Sequence, residues 1–328
     1  MKLQRVVELI EQEPAFNLVS HVLPDGDSIG SLLALGEALQ KLGKKVALFS
    51  PGTLPKKLSF LKGYSSIAGA GMDTAATPVV LVLDCSDPER LDLFREPVLQ
   101  AREIVNIDHH VTNRSYGTIN LVDPQASATG EIIFRLLQAL RVPLTASICE
   151  ALYVAIATDT GSFKYDNTTA AALRVAAALL EYPLKISELA QRLFDERPLA
   201  FYRLLQEALA TLELHGNGKI ASMTVSREML ARHGAAMEDI EGIINYTRNI
   251  EGVEIGILFF VENPSEVKVG FRSRQVDISV LAGKFNGGGH PKAAGCRIYS
   301  PYAVVREQIL REAESLWESY DNAGKERS

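Results

Sequence analysis

The sequence predicts an α/β protein in two parts: a parallel-sheet lobe with flanking helices, followed by a smaller α/β lobe. Three observations predict it. Through the first half, strand-like apolar runs alternate with stretches of helical periodicity. Two of those runs, PVVLVLD (78–84) and EIVNID (103–108), are apolar almost without a break, as strands buried on both faces are. And 328 residues, 47% hydrophobic and 23% charged, exceed one average domain and suffice for two cores.

The elements follow in order. MKLQRVVELIEQEP reads as an amphipathic helix, because glutamates interrupt the apolar run that a signal peptide needs. NLVSHV (17–22) reads as a buried strand and SIGSLLALGEALQKL (28–42) as a helix stopped by Gly43. KVALFS (45–50) is the next strand, followed by the two runs already named. Helical patterns occupy 127–141 and 145–158, and the stretch 169–212 is rich in helix signals. A first domain is expected over 1–185, a helical linker over 186–214 and a second domain over 215–320. In that second part strands are expected at 219–225, 253–261, 266–273 and 293–299, and helices at 236–248, 277–284 and 301–319. The terminal DNAGKERS reads as a frayed tail.

Composition narrows the function. A net charge of −6 argues against a long nucleic-acid footprint, which needs a basic face. The three cysteines, Cys85, Cys149 and Cys296, are scattered and odd in number, so a disulfide framework is not expected and a reducing cytoplasm is. No run approaches the ~18 apolar residues of a membrane helix. The expectation is a cytoplasmic protein with no membrane contact.

Acids and histidines fall at the ends of the strand-like runs. The first run gives His21, then Asp25 and Asp27 in the loop; the next ends in Asp84; the third gives Asp108, His109 and His110. Asp159 stands where ALYVAIATDTG runs out into a glycine turn. In open α/β sheets ligands bind beyond the carboxyl ends of the strands. Each residue alone has a plainer reading. HVLPDGDS suits an ordinary polar turn, Asp84 a helix cap (as do Ser86 and Asp87), and Asp159 a turn residue. Together, such a density of carboxylates and imidazoles would be costly to bury without a cation. Mixed carboxylate and imidazole ligation with no cysteine suits Mn²⁺, Zn²⁺ or Fe rather than a structural zinc site. Six ligands exceed one tetrahedral site, which points to two ions, spaced ~3.5–4 Å apart in sites that cleave phosphate esters.

Those motifs, HVLPDGD (21–27), VLVLD (80–84), DHHVTN (108–113) and ATDTGSF (157–163), resemble the DHH phosphoesterase superfamily. GFRSR (270–274) and NGGGHPKAAG (286–295) resemble its associated C-terminal substrate domain. Two positions depart from the usual pattern: Ala155 and Asn286 each stand where many relatives carry glycine. Asn tolerates the left-handed backbone, so the second loop is expected to keep its shape.

The resemblance implies two divalent ions, Mn²⁺ the expected species. His21, Asp25 and Asp84 would hold one; Asp27, Asp84, His109 and Asp159 the other, with Asp84 shared. It further implies that His110 faces the substrate phosphate as donor or general acid, and that Asp108 orients His109. Arg272 and the loop Gly287, Gly288, Gly289 and His290 would grip a non-reacting phosphate, with Arg274 assisting from the same strand face. Phe163, Tyr165, Tyr246 and Phe271 are candidates to stack on a base, though core or rim packing is the commoner role of such residues.

Length narrows the choice within the superfamily. RecJ-type exonucleases are longer, membrane-anchored cyclic dinucleotide phosphodiesterases carry further segments, and family II pyrophosphatases lack the RS and GGGH marks in this form. The chain resembles the compact nano-RNases, which degrade RNAs of a few nucleotides and dephosphorylate 3′-phosphoadenosine 5′-phosphate (pAp). The expected partners are therefore short RNA, linear dinucleotides such as pApA and pGpG, or pAp; a homodimer is compatible with this reading. The alternatives are a cyclic dinucleotide phosphodiesterase, a longer single-strand exonuclease, and a nucleotide-binding regulator without turnover.

Overall fold

The alternating strand and helix signals become a six-stranded parallel sheet in the computed structural model of the chain, which describes residues 2–240 and 242–325. The elements run α1 (Lys2–Gln12), β1 (Ala15–Val19), α2 (Gly26–Lys41), β2 (Lys45–Phe49), β3 (Ile67–Ala68), β4 (Val79–Leu83), α3 (Arg95–Leu99), β5 (Glu103–Asp108), β6 (Ile119–Val122), α4 (Thr129–Ala139), α5 (Ala146–Asp159), α6 (Ala170–Leu179) and α7 (Ile186–Ala190). Their spatial order is β3-β2-β1-β4-β5-β6, with every neighbouring pair parallel. The order reverses between β1 and β4. At such a switch point the loops diverge to opposite faces and open a crevice beyond the carboxyl ends.

The run Val79–Leu83 shows why the sheet forms. Val79, Leu81 and Leu83 join the core built by α1, α2, α4 and α5, while Val80 and Val82 join a second cluster with Leu91, Phe94 and Val98. Both faces are covered, so the strand shows no polar alternation. Each such side chain contributes roughly 1.5–3 kcal/mol relative to exposure.

Helices α2, α4 and α5 approach through small residues. A Cβ on Gly30 would lie 2.4 Å from the carbonyl oxygen of Ala151, and one on Gly130 would lie 2.6 Å from Cβ of Ala155. This close packing brings the first turns of α2 and α4 against the last turn of α5.

The second unit begins after Glu196. It contains α8 (Leu199–Leu209), β7 (Glu213–His215), β8 (Ile220–Ser226), α9 (Arg227–His233), α10 (Asn245–Arg248), β9 (Ile255–Asn263), β10 (Glu266–Ser273), α11 (Ser279–Gly283), β11 (Gly288–His290), β12 (Ala293–Ile298) and α12 (Tyr302–Lys325). The sheet order is β11-β12-β10-β9-β8-β7; β8 and β9 are parallel and the other pairs antiparallel. One face packs Ile257, Phe259 and Phe271 on Val305 and Ile309 of α12. The other packs Met223, Leu258 and Phe260 on Phe201 and Leu204 of α8.

Several boundaries differ from expectation. Residues 186–214 divide between the cores: Leu189 and Leu193 pack in the first, Phe201 and Leu205 in the second. The helix expected over 236–248 is a 3-10 turn, Met237–Ile240, and the short α10. Gly242, at φ 91°, interrupts it, and Glu241 lies outside the described residues. The expected frayed tail is helical to Lys325, with residues 326–328 outside the described set. Among the described residues no helix is long and apolar enough to cross a membrane.

Candidate active site

The crevice at the switch point collects the strand-end residues. His21 is buried two positions past β1. The chain turns through Leu23 (φ 55°) to Asp25, which caps α2. The Asp25 carboxylate accepts the Ser28 amide at 3.0 Å, and Ser28 Oγ accepts the Asp25 amide at 3.0 Å.

Asp27, in the first turn of α2, is buried, and its oxygens accept the amides of Thr129 (2.6 Å) and Gly130 (2.8 Å). Helix α4 starts at Ala128, whose side chain has no acceptor to offer. Its first amides are capped instead by a carboxylate from 102 residues away. Thr129 also donates its hydroxyl to Asp84 Oδ1 at 3.0 Å. Thr129 and Gly130 were not singled out from the sequence. The signal available was an alanine at a helix start with no local cap.

Asp84 follows β4 at φ 57°. That left-handed backbone is uncommon outside glycine but open to Asp, and such strain gathers at functional sites. His21 Nε2 lies 3.4 Å from Asp84 Oδ2. His109 Nε2 lies 3.5 Å from Asp159, 3.7 Å from Asp84 and 3.8 Å from Asp27. Asp159 is the last residue of α5. One ligand atom from each of His21, Asp25 and Asp84 lies within 4.8 Å of the others; the same holds for Asp27, His109 and Asp159, and for Asp84, His109 and His110. Asp84 belongs to the first and third groups.

The role expected of Asp108, orienting His109, is corrected. It does not touch the His109 ring. Its carboxylate turns back over its own loop and accepts His110 Nδ1 at 2.7 Å, the His109 and His110 amides, and Asn113 Nδ2. Adjacent side chains diverge, so a carboxylate that folds back to residue i+2 cannot also reach the ring at i+1. His109 is oriented by the carbonyl of Ala126, 3.3 Å from its Nδ1.

The electrostatics call for cations. Burial, with Asp159 adding, pushes Asp27 up to about 7. Burial, with Asp25 adding, pushes Asp159 up to about 7. Burial and the charges of Asp27 and Asp25 lift Asp84 well above the usual carboxylate range. Nitrogen–oxygen separations of 3.4–3.8 Å make poor hydrogen bonds. They are close to the ~3.0–3.4 Å between neighbouring ligands around an ion with ~2.1 Å bonds. The residues present therefore fit divalent metal. His110 differs from them. Burial alone would lower it, but the hydrogen bond and charge of Asp108 outweigh burial and raise it. Asp108 moves the other way: its bonds to His110 and Asn113 outweigh burial and hold it low.

In the second unit a cavity of about 640 Å³ opens over β10 and β12, lined by Met237, Ile244, Leu258, Phe260, Lys268, Arg272, Gly287 and Gly295 among others. Gly270 pairs with Gly295 and Gly295 with Gly288, so bare backbone runs across three neighbouring strands. Arg272 reaches the cavity; Arg274 does not. It lies one residue past β10, and its Nη2 donates to the carbonyls of Arg248 (3.3 Å) and Ile250 (3.1 Å). The glycine loop is in part an exposed edge strand, Gly288–His290. Gly287 and Gly289 are needed there for packing, since a Cβ would lie 2.2 Å from the carbonyl of Gly295 and 2.5 Å from that of Ala293 respectively. Asn286 has the left-handed backbone expected of it, φ 56°. Phe271 is wholly buried and Phe163 packs on the first core, whereas Tyr165 and Tyr246 are exposed.

Comparison with known proteins matches both units to known domains. Residues 16–156 match the DHH family, N-terminal domain, and residues 217–319 match the DHHA1 domain. The chain is 34% identical over 299 residues to a bifunctional oligoribonuclease and PAP phosphatase NrnA of Thermus thermophilus, covering 90% of this chain and 88% of that one. It is 33% identical to the protein of the same name in Bacillus subtilis, over 92% of this chain and 94% of that one. In fold it is similar to an exopolyphosphatase-related protein of Bacteroides fragilis, with a TM-score of 0.87, 24% identity and 97% of each chain covered. With residues 16–156 and 217–319 matched by these two domains and one-third identity to such relatives over most of its length, the chain belongs to the DHH family.

Proposed function

We propose that this protein is a metal-dependent phosphoesterase. It hydrolyses RNAs of a few nucleotides to mononucleotides and removes the 3′-phosphate of pAp. The convergence of Asp27, Asp84 and Asp159 with the Nε2 atoms of His21 and His109 carries the reading. The names of the relatives, at one-third identity over most of the chain, supply the substrate class.

In this reading His21, Asp25 and Asp84 hold one divalent ion and Asp27, Asp84, His109 and Asp159 a second, with Mn²⁺ suited to the donor set. Such ions, when bound, activate water and neutralise phosphate charge. The chain's own groups do the rest. Asp108, itself held by Asn113, fixes the His110 ring, leaving its Nε2 to meet the substrate. With its raised proton affinity, His110 hands a proton to the departing oxygen. The second unit binds the nucleotide in its cavity, with Arg272 on a phosphate that does not react and Gly287–His290 beside it. Three buried cysteines without disulfides support work in a reducing compartment, the cytoplasm.

A substrate panel with Mn²⁺ tests this: pAp, pApA, a 5-mer, cyclic di-AMP, a 20-mer and pyrophosphate. Release of AMP from pApA and pAp ahead of the others is expected. Preference for the 20-mer or for cyclic di-AMP would overturn it in favour of another phosphodiesterase.

A further inference from the structure

Arg90 lies in the 3-10 turn Pro88–Phe94 that follows β4. The turn is fastened at both ends of its first residues. Asp87 caps it by accepting the Glu89 amide at 3.1 Å. The carbonyl of Arg90 accepts the Val22 amide at 2.8 Å, next to His21. The guanidinium is thereby delivered to the crevice, with Nη2 2.9 Å from His21 Nδ1.

That nitrogen has a second neighbour, the carbonyl of Val22 at 2.6 Å. One ring nitrogen cannot serve both. Toward Val22 it must donate; from Arg90 it must accept. If His21 offers Nε2 to a metal, as the proposed function requires, Nδ1 carries the hydrogen and Val22 takes it. An N–H of Arg90 then faces an N–H of His21 and has no acceptor there. Nor do Asp87 and Glu89 supply one: Asp87 pairs with Arg114 at 3.0 Å and Glu89 with Arg95 at 2.8 Å. Among the described residues no ion pair with a carboxylate occupies Arg90. A cation beside metal ligands would also repel the ions unless an anion lay between. His21 and His110 both lie against Asp84, at 3.4 and 3.7 Å, so a guanidinium beside His21 borders the same carboxylate as His110, where the substrate phosphate would bind.

We propose that Arg90 is a catalytic residue that binds a phosphoryl oxygen of the substrate, between His21 and His110. A planar guanidinium grips such an oxygen with directed, charge-assisted bonds that a lysine only partly reproduces. The inference rests on the proposed function and goes beyond it by assigning a cationic contact from the metal-bearing unit itself.

The test uses the Mn²⁺-loaded protein and the variants Arg90→Gln and Arg90→Lys. It measures Mn²⁺ content, affinity for AMP and for adenosine by calorimetry, and kcat/KM on pApA. Arg90→Gln should keep its Mn²⁺ and its adenosine affinity. It should lose AMP affinity by roughly 10- to 100-fold, the scale of one hydrogen bond to a charged group, with a loss at least as large in kcat/KM. Arg90→Lys should fall between. Unchanged AMP affinity in Arg90→Gln overturns the assignment. So does a loss of Mn²⁺ with normal AMP affinity in the sites that remain loaded, which would mean that Arg90 acts only through His21. A wild-type protein that holds Mn²⁺ yet neither binds AMP nor cleaves pApA refutes the proposed function itself, and the role of Arg90 with it.

Discussion

Stripping the metals should make this protein less stable as pH rises, and adding Mn²⁺ should reverse the trend. Asp27 and Asp159 sit at about 7 in the folded chain, against ~3.9 for an unperturbed aspartate. The folded state therefore holds these protons more tightly than the unfolded state. The stability they contribute is fully present below about pH 4 and is lost as pH climbs through about 7. A shift of about 3 units on one group corresponds to about 4 kcal/mol. The shifts do not add. Asp27 is raised partly by Asp159, and Asp84 partly by Asp27, so one repulsion energy is shared among them. About 4 kcal/mol for the cluster is the working figure. At roughly 2–4 °C per kcal/mol for a unit of this size, it amounts to ~10 °C in Tm. Bound cations require the deprotonated ligands, so Mn²⁺ offsets the repulsion where it is greatest. The assay is thermal unfolding in Mn²⁺ and in EDTA from about pH 4 to about pH 8. The gap in Tm between the two should widen by ~10 °C across that range. A gap that stays constant or narrows would refute the claim that these carboxylates are held together for a cation.

Three further outcomes follow from the same geometry. Asp108→Asn removes the charge that raises His110, so the basic limb of the kcat–pH profile should move to lower pH; an unmoved limb would release His110 from its role as proton donor. Gly30→Ala drives a Cβ to 2.4 Å from the carbonyl of Ala151 and should cost about 1–3 kcal/mol in chemical denaturation; wild-type stability would contradict the close approach of α2 and α5. Arg272→Ala should raise KM for pApA with kcat largely kept, whereas Arg274→Ala should change neither, because that guanidinium is spent on two backbone carbonyls. Equal effects on KM from both would contradict the difference between them.

What the sequence made legible was what burial or strand ends dictate. Val79–Leu83 and Glu103–Asp108 announce themselves because both faces of each strand are covered. The four strands that escaped notice, β3, β6, β7 and β11, are the edges of the two sheets and only two to four residues long. An edge strand pairs on one side and needs little apolar pattern. The candidate ligands were readable from their positions at the ends of β1, β4, β5 and α5. Their support was not. The Asp27 cap of α4 spans 102 residues. The choice of His110 over His109 by Asp108 depends on how one side chain turns, and the diversion of Arg274 depends on where β10 stops. Arg90 carried no motif; only the competing contacts at His21 Nδ1 bring it forward.

AMP release from pApA in saturating Mn²⁺, by the wild-type chain and by Asp84→Asn, tests the central claim most directly. Asn keeps the left-handed backbone open to Asp84 but withdraws a charge that lies 3.4 Å from His21 Nε2 and 3.7 Å from His109 Nε2. Rapid release by the wild type is expected, with a loss in the variant beyond the roughly 100-fold that removal of an outer partner of a metal ligand causes. Turnover in Asp84→Asn close to that of the wild type, with both proteins folded, would contradict a site organised around this carboxylate.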